Sequence, residues 1–261
     1  MICALLIFQS PDLPEPLAAL SPWVDWLIMP REEMLARLQS QPHRRFVKTH
    51  TPLDGIPVDK RATYIVVARH PLDMAVSLIH QSDNIDRAKL RQLTGQPDPG
   101  PASTPVRRPV RDRLLRWIDD DDSPQKYMDG LRGVLWHLSG AWSRRHEANL
   151  VLVHFDDLAG DLEGEMRRLA ARLDIEVPAE RWPELVEAAT FGQMKANAGR
   201  LAPDPRSIFK DRSAFFRRGI SGGGRELLTS EELAHYEARA ASLAPPDLLA
   251  WLHRPSGGGP Q

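Results

Sequence analysis

The run Tyr64-Ile65-Val66-Val67-Ala68-Arg69-His70-Pro71-Leu72-Asp73-Met74-Ala75-Val76-Ser77 constrains this chain more than any other segment. Five apolar residues, mostly β-branched, predict a parallel strand covered on both faces. Pro71 is suited to open a helix because it lacks only an N–H that would be unpaired there. The spacing puts Arg69 at the carboxyl end of the strand and Ser77 on the second turn of the helix. In open α/β sheets that edge gathers helix N-termini and binds anions. A guanidinium and a hydroxyl there predict a phosphate clamp, against the plainer alternative of a strand–helix junction with a surface arginine.

A second strand-like run, Arg45-Phe46-Val47, ends in Lys48-Thr49-His50-Thr51-Pro52-Leu53. Paired in parallel beside 64–68, it would bring Lys48 and His50 out at the same sheet edge as Arg69, and the side-chain period of two puts both on one face. An imidazole whose ordinary pKa is about 6.5 can accept a proton at neutral pH, and an adjacent ammonium can neutralise charge on a group in transfer. Lys48 and His50 are therefore a candidate electrophile and base. The plainer reading is a strand end with two solvated polar side chains.

Three blocks carry a resemblance: Lys48-Thr49-His50-x-Pro52-Leu53, the 64–77 run, and Phe215-Phe216-Arg217-Arg218-Gly219-Ile220-Ser221-Gly222. In order and spacing they resemble the cytosolic-type sulfotransferases, in their actinobacterial branch, over roughly residues 1 to 240. The resemblance implies a three-layer α/β fold, a parallel sheet flanked by helices, related to the P-loop nucleotide kinases. It implies a co-substrate, 3′-phosphoadenosine 5′-phosphosulfate, used without a metal. By the same resemblance Arg69 and Ser77 hold the donor's 3′-phosphate, His50 takes the proton from an acceptor hydroxyl or amine, and Lys48 stabilises the bridging oxygen as the sulfuryl group leaves. Phe216, Arg217, Arg218 and Gly219 would belong to a segment closing over the 3′-phosphate. Phe155 stands where the family has an adenine-contacting tyrosine, keeping a ring and losing a hydroxyl, and Phe191 would pack on the adenine. The plainer readings are a basic turn for 217–219 and a core aromatic for Phe191.

At its start the chain departs from the family. Met1-Ile2-Cys3-Ala4-Leu5-Leu6-Ile7-Phe8 resembles the helix that follows the family's Pro-Lys-Ser-Gly-Thr-Thr-Trp loop around the 5′-phosphosulfate, and no G-x-x-x-x-G-K-[ST] or G-x-G-x-x-G loop occurs. Two explanations compete. A reading frame begun at an internal methionine is favoured, because helix residues with no strand to cover would leave apolar surface exposed; the alternative is a remnant that has lost activity. Either way the expectation is a fold without its first strand and loop and an impaired enzyme, since each missing preorganised donor costs about a hundredfold to a thousandfold. After Gly222 the family continues Asp-Trp-Lys, whereas Gly223-Gly224-Arg225 predicts a more flexible closing segment with Arg225 keeping a basic role. Two rivals are a P-loop kinase relative, which needs a Walker lysine and a magnesium-binding acid, and a noncatalytic binding protein descended from a sulfotransferase.

Composition bounds the rest. A length of 261 residues predicts one domain over 1–261. Lys and Arg number 34 against 35 Asp and Glu, a net charge of −1, which argues against nucleic acid and for a local anion pocket with a small-molecule partner. The single cysteine, Cys3, excludes an internal disulfide and suits a reducing cytoplasm. No apolar run reaches the roughly 18 residues of a membrane span, and the start lacks the basic region of a signal peptide. Trp23 and Trp26 are expected either to line an acceptor cleft or to pack in a lid. Residues 95–113, rich in proline, are read as disordered, with a lid as the alternative, and 255–261 as a frayed tail. Asp119 to Asp122 read as a solvated acidic turn rather than a metal site. Periodicity predicts helices at 31–39, 130–147, 162–173, 183–195 and 230–242, and a strand at 150–154.

Overall fold

The computed structural model describes residues 1–26, 28–97, 108–204 and 206–254. Helices α1 (Ile2–Phe8), α2 (Leu17–Leu20) and α3 (Arg31–Ser40) precede strand β1 (Tyr64–Ala68). Then come α4 (Pro71–Asn84), α5 (Arg87–Thr94), α6 (Val110–Asp119), α7 (Leu131–Ser143) and strand β2 (Leu150–His154). The order continues with α8 (Phe155–Gly160), α9 (Leu162–Arg172), α10 (Trp182–Ala189), α11 (Phe191–Ala196), α12 (Ala198–Leu201), α13 (Ser230–Leu243) and α14 (Pro246–Leu252). The described parts of Met1–His50, Gln81–Pro105 and Leu162–Gly219 form one compact unit; those of Thr51–His80, Val106–Asp161 and Ile220–Gln261 form another.

The second unit holds both strands. They pair in parallel, with Tyr64 opposite Leu150 and Ala68 opposite His154. Leu150, Val151 and Val153 are buried, as an apolar run predicts, but Val67 is 62% exposed. At that point β1 is covered on its Val66 and Ala68 face alone; β2 is its one strand partner among the described residues. The core gathers Leu114 and Ile118 of α6, Leu131 and Leu135 of α7, Tyr236 of α13 and Leu248 of α14. Helix α13 starts where its letters say it should: Thr229 and Glu232 cap each other's backbone reciprocally. Asp121 and Asp122 pair with Arg239 and Lys126, each at 2.6 Å, as a solvated acidic turn would.

The strand expected at 45–47 does not form. Lys48 makes a single parallel bridge to Trp23 instead, its N–H donating to Pro22 O at 3.0 Å and its carbonyl accepting from Val24 N–H at 2.9 Å. The physical reason is burial: beside Arg44 and Arg45, and with Val47 49% exposed, the run has too little buried apolar surface to act as an interior parallel strand.

The first unit is helical. Leu5 and Leu6 of α1 pack toward α10, whose Leu185 is fully buried, and Met166 and Leu169 of α9 complete that layer. The helix expected over 183–195 is two helices. Thr190 ends α10 and caps α11, its hydroxyl accepting the Gln193 N–H at 3.3 Å. In the second unit, α6 claims the end of the 95–113 stretch from Val110 onward; residues 98–107 and the tail 255–261 lie outside the described residues.

Both strand–helix junctions are capped by a histidine. His70 Nδ1 accepts the Leu72 N–H at 3.2 Å at the start of α4, and His154 Nδ1 accepts the Asp156 N–H at 3.2 Å at the start of α8. Protonating either ring at Nδ1 would turn the acceptor into a donor and break the cap. Burial, with the neighbouring His253 ring stacked at 4.7 Å and Arg225 adding to it, pushes the His70 pKa down to about 4, against the opposing pull of Asp73 and Asp156. Burial also lowers the pKa values of His154 and His253. Above about pH 6.5 both folded and unfolded His70 are neutral and nothing changes. Below it the unfolded chain takes up a proton that the native ring refuses, so stability should fall, by about 3 kcal/mol from His70 alone by pH 4. Urea midpoints from about pH 7 to about pH 4.5 check this. His70→Asn, whose amide oxygen can keep the cap, should flatten the slope; an unchanged slope would assign the acid lability elsewhere.

Candidate active site

Arg69 follows β1 directly, and several neighbours hold its guanidinium. Nη1 donates to Ser77 Oγ at 3.4 Å, Nη2 donates to the Ile220 carbonyl at 3.2 Å, and Cζ lies 4.4 Å from the centroid of the Phe155 ring at the start of α8. Arg69 and Ser77 therefore meet as expected, because the second turn of α4 carries the hydroxyl back toward the strand end. Phe155 supports the guanidinium through its ring face, an attraction of about 0.5–2 kcal/mol. Two residues that the sequence motifs do not assign to the site join this cluster. Asp73 and Asp156, in the first turns of α4 and α8, both bind the segment after Ile220. That segment is held rather than loose, contrary to the flexibility its glycines predicted. The readable signal was an acid in the first turn of each helix that follows a strand.

In the other unit Asp25 organises the Lys48–His50 stretch. Its Oδ2 accepts from the Thr49 hydroxyl and from the His50 backbone N–H, both at 2.8 Å. The Trp23 ring lies 4.4 Å from the His50 imidazole and 4.0 Å from Lys48 Nζ, centroid distances in both cases. Lys48 and His50 thus share an indole instead of a strand face. Burial lowers the Lys48 pKa, and the Asp25 carboxylate opposes that shift by favouring the ammonium. His50 is exposed. Trp23 and Trp26, with ring centroids 4.4 Å apart, line a shallow cleft together with Ile28, Met29, Lys48 and Pro203. The Trp23 indole N–H is buried with no acceptor among the described residues.

Of the remaining candidates, Phe216 and Gly219 meet Phe191. Its ring meets buried Phe216 edge to face at 6.3 Å; Arg217 is half-buried and Arg218 exposed. Gly219 has φ +67°, and a Cβ there would lie 2.5 Å from the Phe191 ring, so conformation and space both require glycine. Gly219→Ala should cost about 1–3 kcal/mol in urea unfolding and displace Phe191. A stability unchanged within about 0.5 kcal/mol would show that the turn relaxes.

The Sulfotransferase domain family matches residues 3–241. A glycolipid sulfotransferase of Mycobacterium bovis is 39% identical over 270 residues, covering 97% of this chain and 82% of the relative. The chain belongs to the sulfotransferase family. Sulfotransferase 1A1 of Bos taurus is 24% identical over 248 residues, covering 90% of this chain and 75% of that one. The crystal structure of mouse sulfotransferase SULT7A1 complexed with PAP matches with a TM-score of 0.69 at 18% identity, over 96% of this chain and 82% of that chain. At such identity the likeness is one of fold: a parallel α/β sheet flanked by helices. Family and relatives make this protein a sulfotransferase, an enzyme that transfers a sulfuryl group to an acceptor. Among the described residues no helix of this sulfotransferase is long and apolar enough to cross a membrane.

Proposed function

We propose that this sulfotransferase takes its sulfuryl group from 3′-phosphoadenosine 5′-phosphosulfate and passes it to a hydroxyl or amine, the glycolipid hydroxyl being the favoured acceptor. The observation that carries the reading is the Arg69 cluster, a guanidinium held by Ser77, the Ile220 carbonyl and the Phe155 ring at the carboxyl end of a parallel strand. A planar fork fixed in this way suits the oxygens of a 3′-phosphate. Phe191, Arg217, Arg218 and Gly219 serve the nucleotide, with Phe216 supporting the Phe191 ring. The relative named a glycolipid sulfotransferase supports the acceptor class, and the mouse relative's complex with PAP supports the donor.

In the reaction the acceptor oxygen forms a bond to sulfur as its proton passes to the His50 imidazole. The bond from sulfur to the bridging oxygen breaks, and its electron pair leaves with adenosine 3′,5′-bisphosphate. Lys48 neutralises the charge that collects on that oxygen, and in a partly buried site the ammonium is worth more than in water. Trp23 and Trp26 give the acceptor an aromatic wall, and the unpartnered indole N–H gives one of its oxygens a donor.

Nucleotide-dependent melting tests the donor. Adenosine 3′,5′-bisphosphate at about a hundred times its Kd should stabilise the chain by about 2.7 kcal/mol and raise Tm by roughly 5–10 °C, while ATP with magnesium should leave it unmoved. The reverse order would point to kinase chemistry. No shift from either nucleotide would point to a protein that folds without holding the donor.

A further inference from the structure

Two helices that follow the two strands each present a buried acid to one short segment, Ile220 to Gly224. Asp73, only 5% exposed, accepts the Gly222 N–H on Oδ2 and the Gly224 N–H on Oδ1, both at 2.8 Å. Asp156, also buried, accepts the Ser221 hydroxyl. Gly224 approaches so closely that a Cβ would lie 2.5 Å from the Leu72 carbonyl carbon, so this glycine serves contact with α4 rather than looseness. The same segment supplies the Ile220 carbonyl that receives Arg69 Nη2, and Asp73 Oδ2 itself lies 3.8 Å from that nitrogen.

We infer that Asp73, with Asp156 beside it, is a positioning residue for donor binding: it touches no donor atom but fixes segment 220–224, and through the Ile220 carbonyl it aims the Arg69 guanidinium. The inference rests on the donor reading above. An arginine side chain has several rotatable bonds, and ordering it only when a phosphate arrives would weaken binding. Here the ordering is done in advance by two charge-assisted hydrogen bonds from backbone N–H groups to a carboxylate out of water's reach, which are stronger than neutral ones. Asp156 secures the middle of the segment, so the carbonyl is pinned from both strand–helix junctions.

Asp73→Asn keeps the side-chain size and one accepting oxygen but turns an amide donor toward a backbone N–H. The Kd of adenosine 3′,5′-bisphosphate should rise about ten- to a hundredfold, and the donor KM with it, while the acceptor KM stays unchanged. A merely structural role would instead lower the apparent kcat with the folded fraction and leave both KM values and the donor affinity of the folded fraction unchanged, which would overturn the inference. If Arg69→Ala leaves nucleotide affinity unchanged, the donor reading itself has failed; if Arg69→Ala weakens it and Asp73→Asn does not, only the present inference has. Should Asp73→Asn not fold, native-state hydrogen exchange on the unmodified chain decides. The Gly222 and Gly224 amides should be protected with or without the nucleotide. Amides that exchange freely until the nucleotide is added would show that the ligand, not Asp73, orders the segment.

Discussion

His50→Ala should abolish measurable sulfuryl transfer while leaving adenosine 3′,5′-bisphosphate bound within about twofold of the unmodified chain. A positioned general base contributes about 10²–10⁴ to rate, and removing the imidazole removes all of it. The fold loses little, because the contact that fixes this stretch is the backbone N–H donated to Asp25, which alanine keeps, and the side chain itself is exposed. His50→Gln should be equally inactive, since an amide fills similar space without taking a proton. Transfer rates from labelled donor, read beside calorimetric titration of the nucleotide, check both halves. Turnover in His50→Ala within about tenfold of the unmodified chain would remove His50 as the base.

Arg69→Ala should act on the other half of the reaction. Hydrogen bonds to a charged group are worth about 1.5–3 kcal/mol, so the nucleotide Kd should rise at least about tenfold, and its dependence on salt should weaken because a charge has left the site. Arg69→Lys should fall between. An ammonium keeps the charge but cannot donate at once to Ser77 and the Ile220 carbonyl while lying flat on Phe155, as the guanidinium does. Titrations at two ionic strengths distinguish loss of charge from loss of shape, and an Arg69→Ala titration indistinguishable from the unmodified chain would remove the clamp.

Local features of this fold were readable in the letters and long-range ones were not. The apolar run 64–68 followed by Pro71 marked β1 and α4 because parallel strands and helix first positions have strong residue preferences. Thr229 and Glu232 marked α13 through a reciprocal cap. The partner of Lys48 is not legible because a run with only two apolar residues, Phe46 and Val47, carries too little pattern to say what it pairs with; Trp23, 25 residues away, is decided by tertiary packing. The break between α10 and α11 was written in Thr190 and Gln193, but continuous apolar spacing concealed it. Within the site, Arg69 and Ser77 were legible because one strand and the helix after it bring them together. Asp25 was not, and the first-turn positions of Asp73 and Asp156 marked two helix starts without naming the backbone N–H groups and hydroxyl they bind, which no side-chain motif records.

Separate roles for His50 and Arg69 are most directly tested by one titration series, with adenosine 3′,5′-bisphosphate added to the unmodified chain, to His50→Ala and to Arg69→Ala under identical conditions. Division of labour requires the first two to bind alike and the third to bind at least about tenfold more weakly. Equal binding by all three, or a His50→Ala loss as large as that of Arg69→Ala, would contradict it.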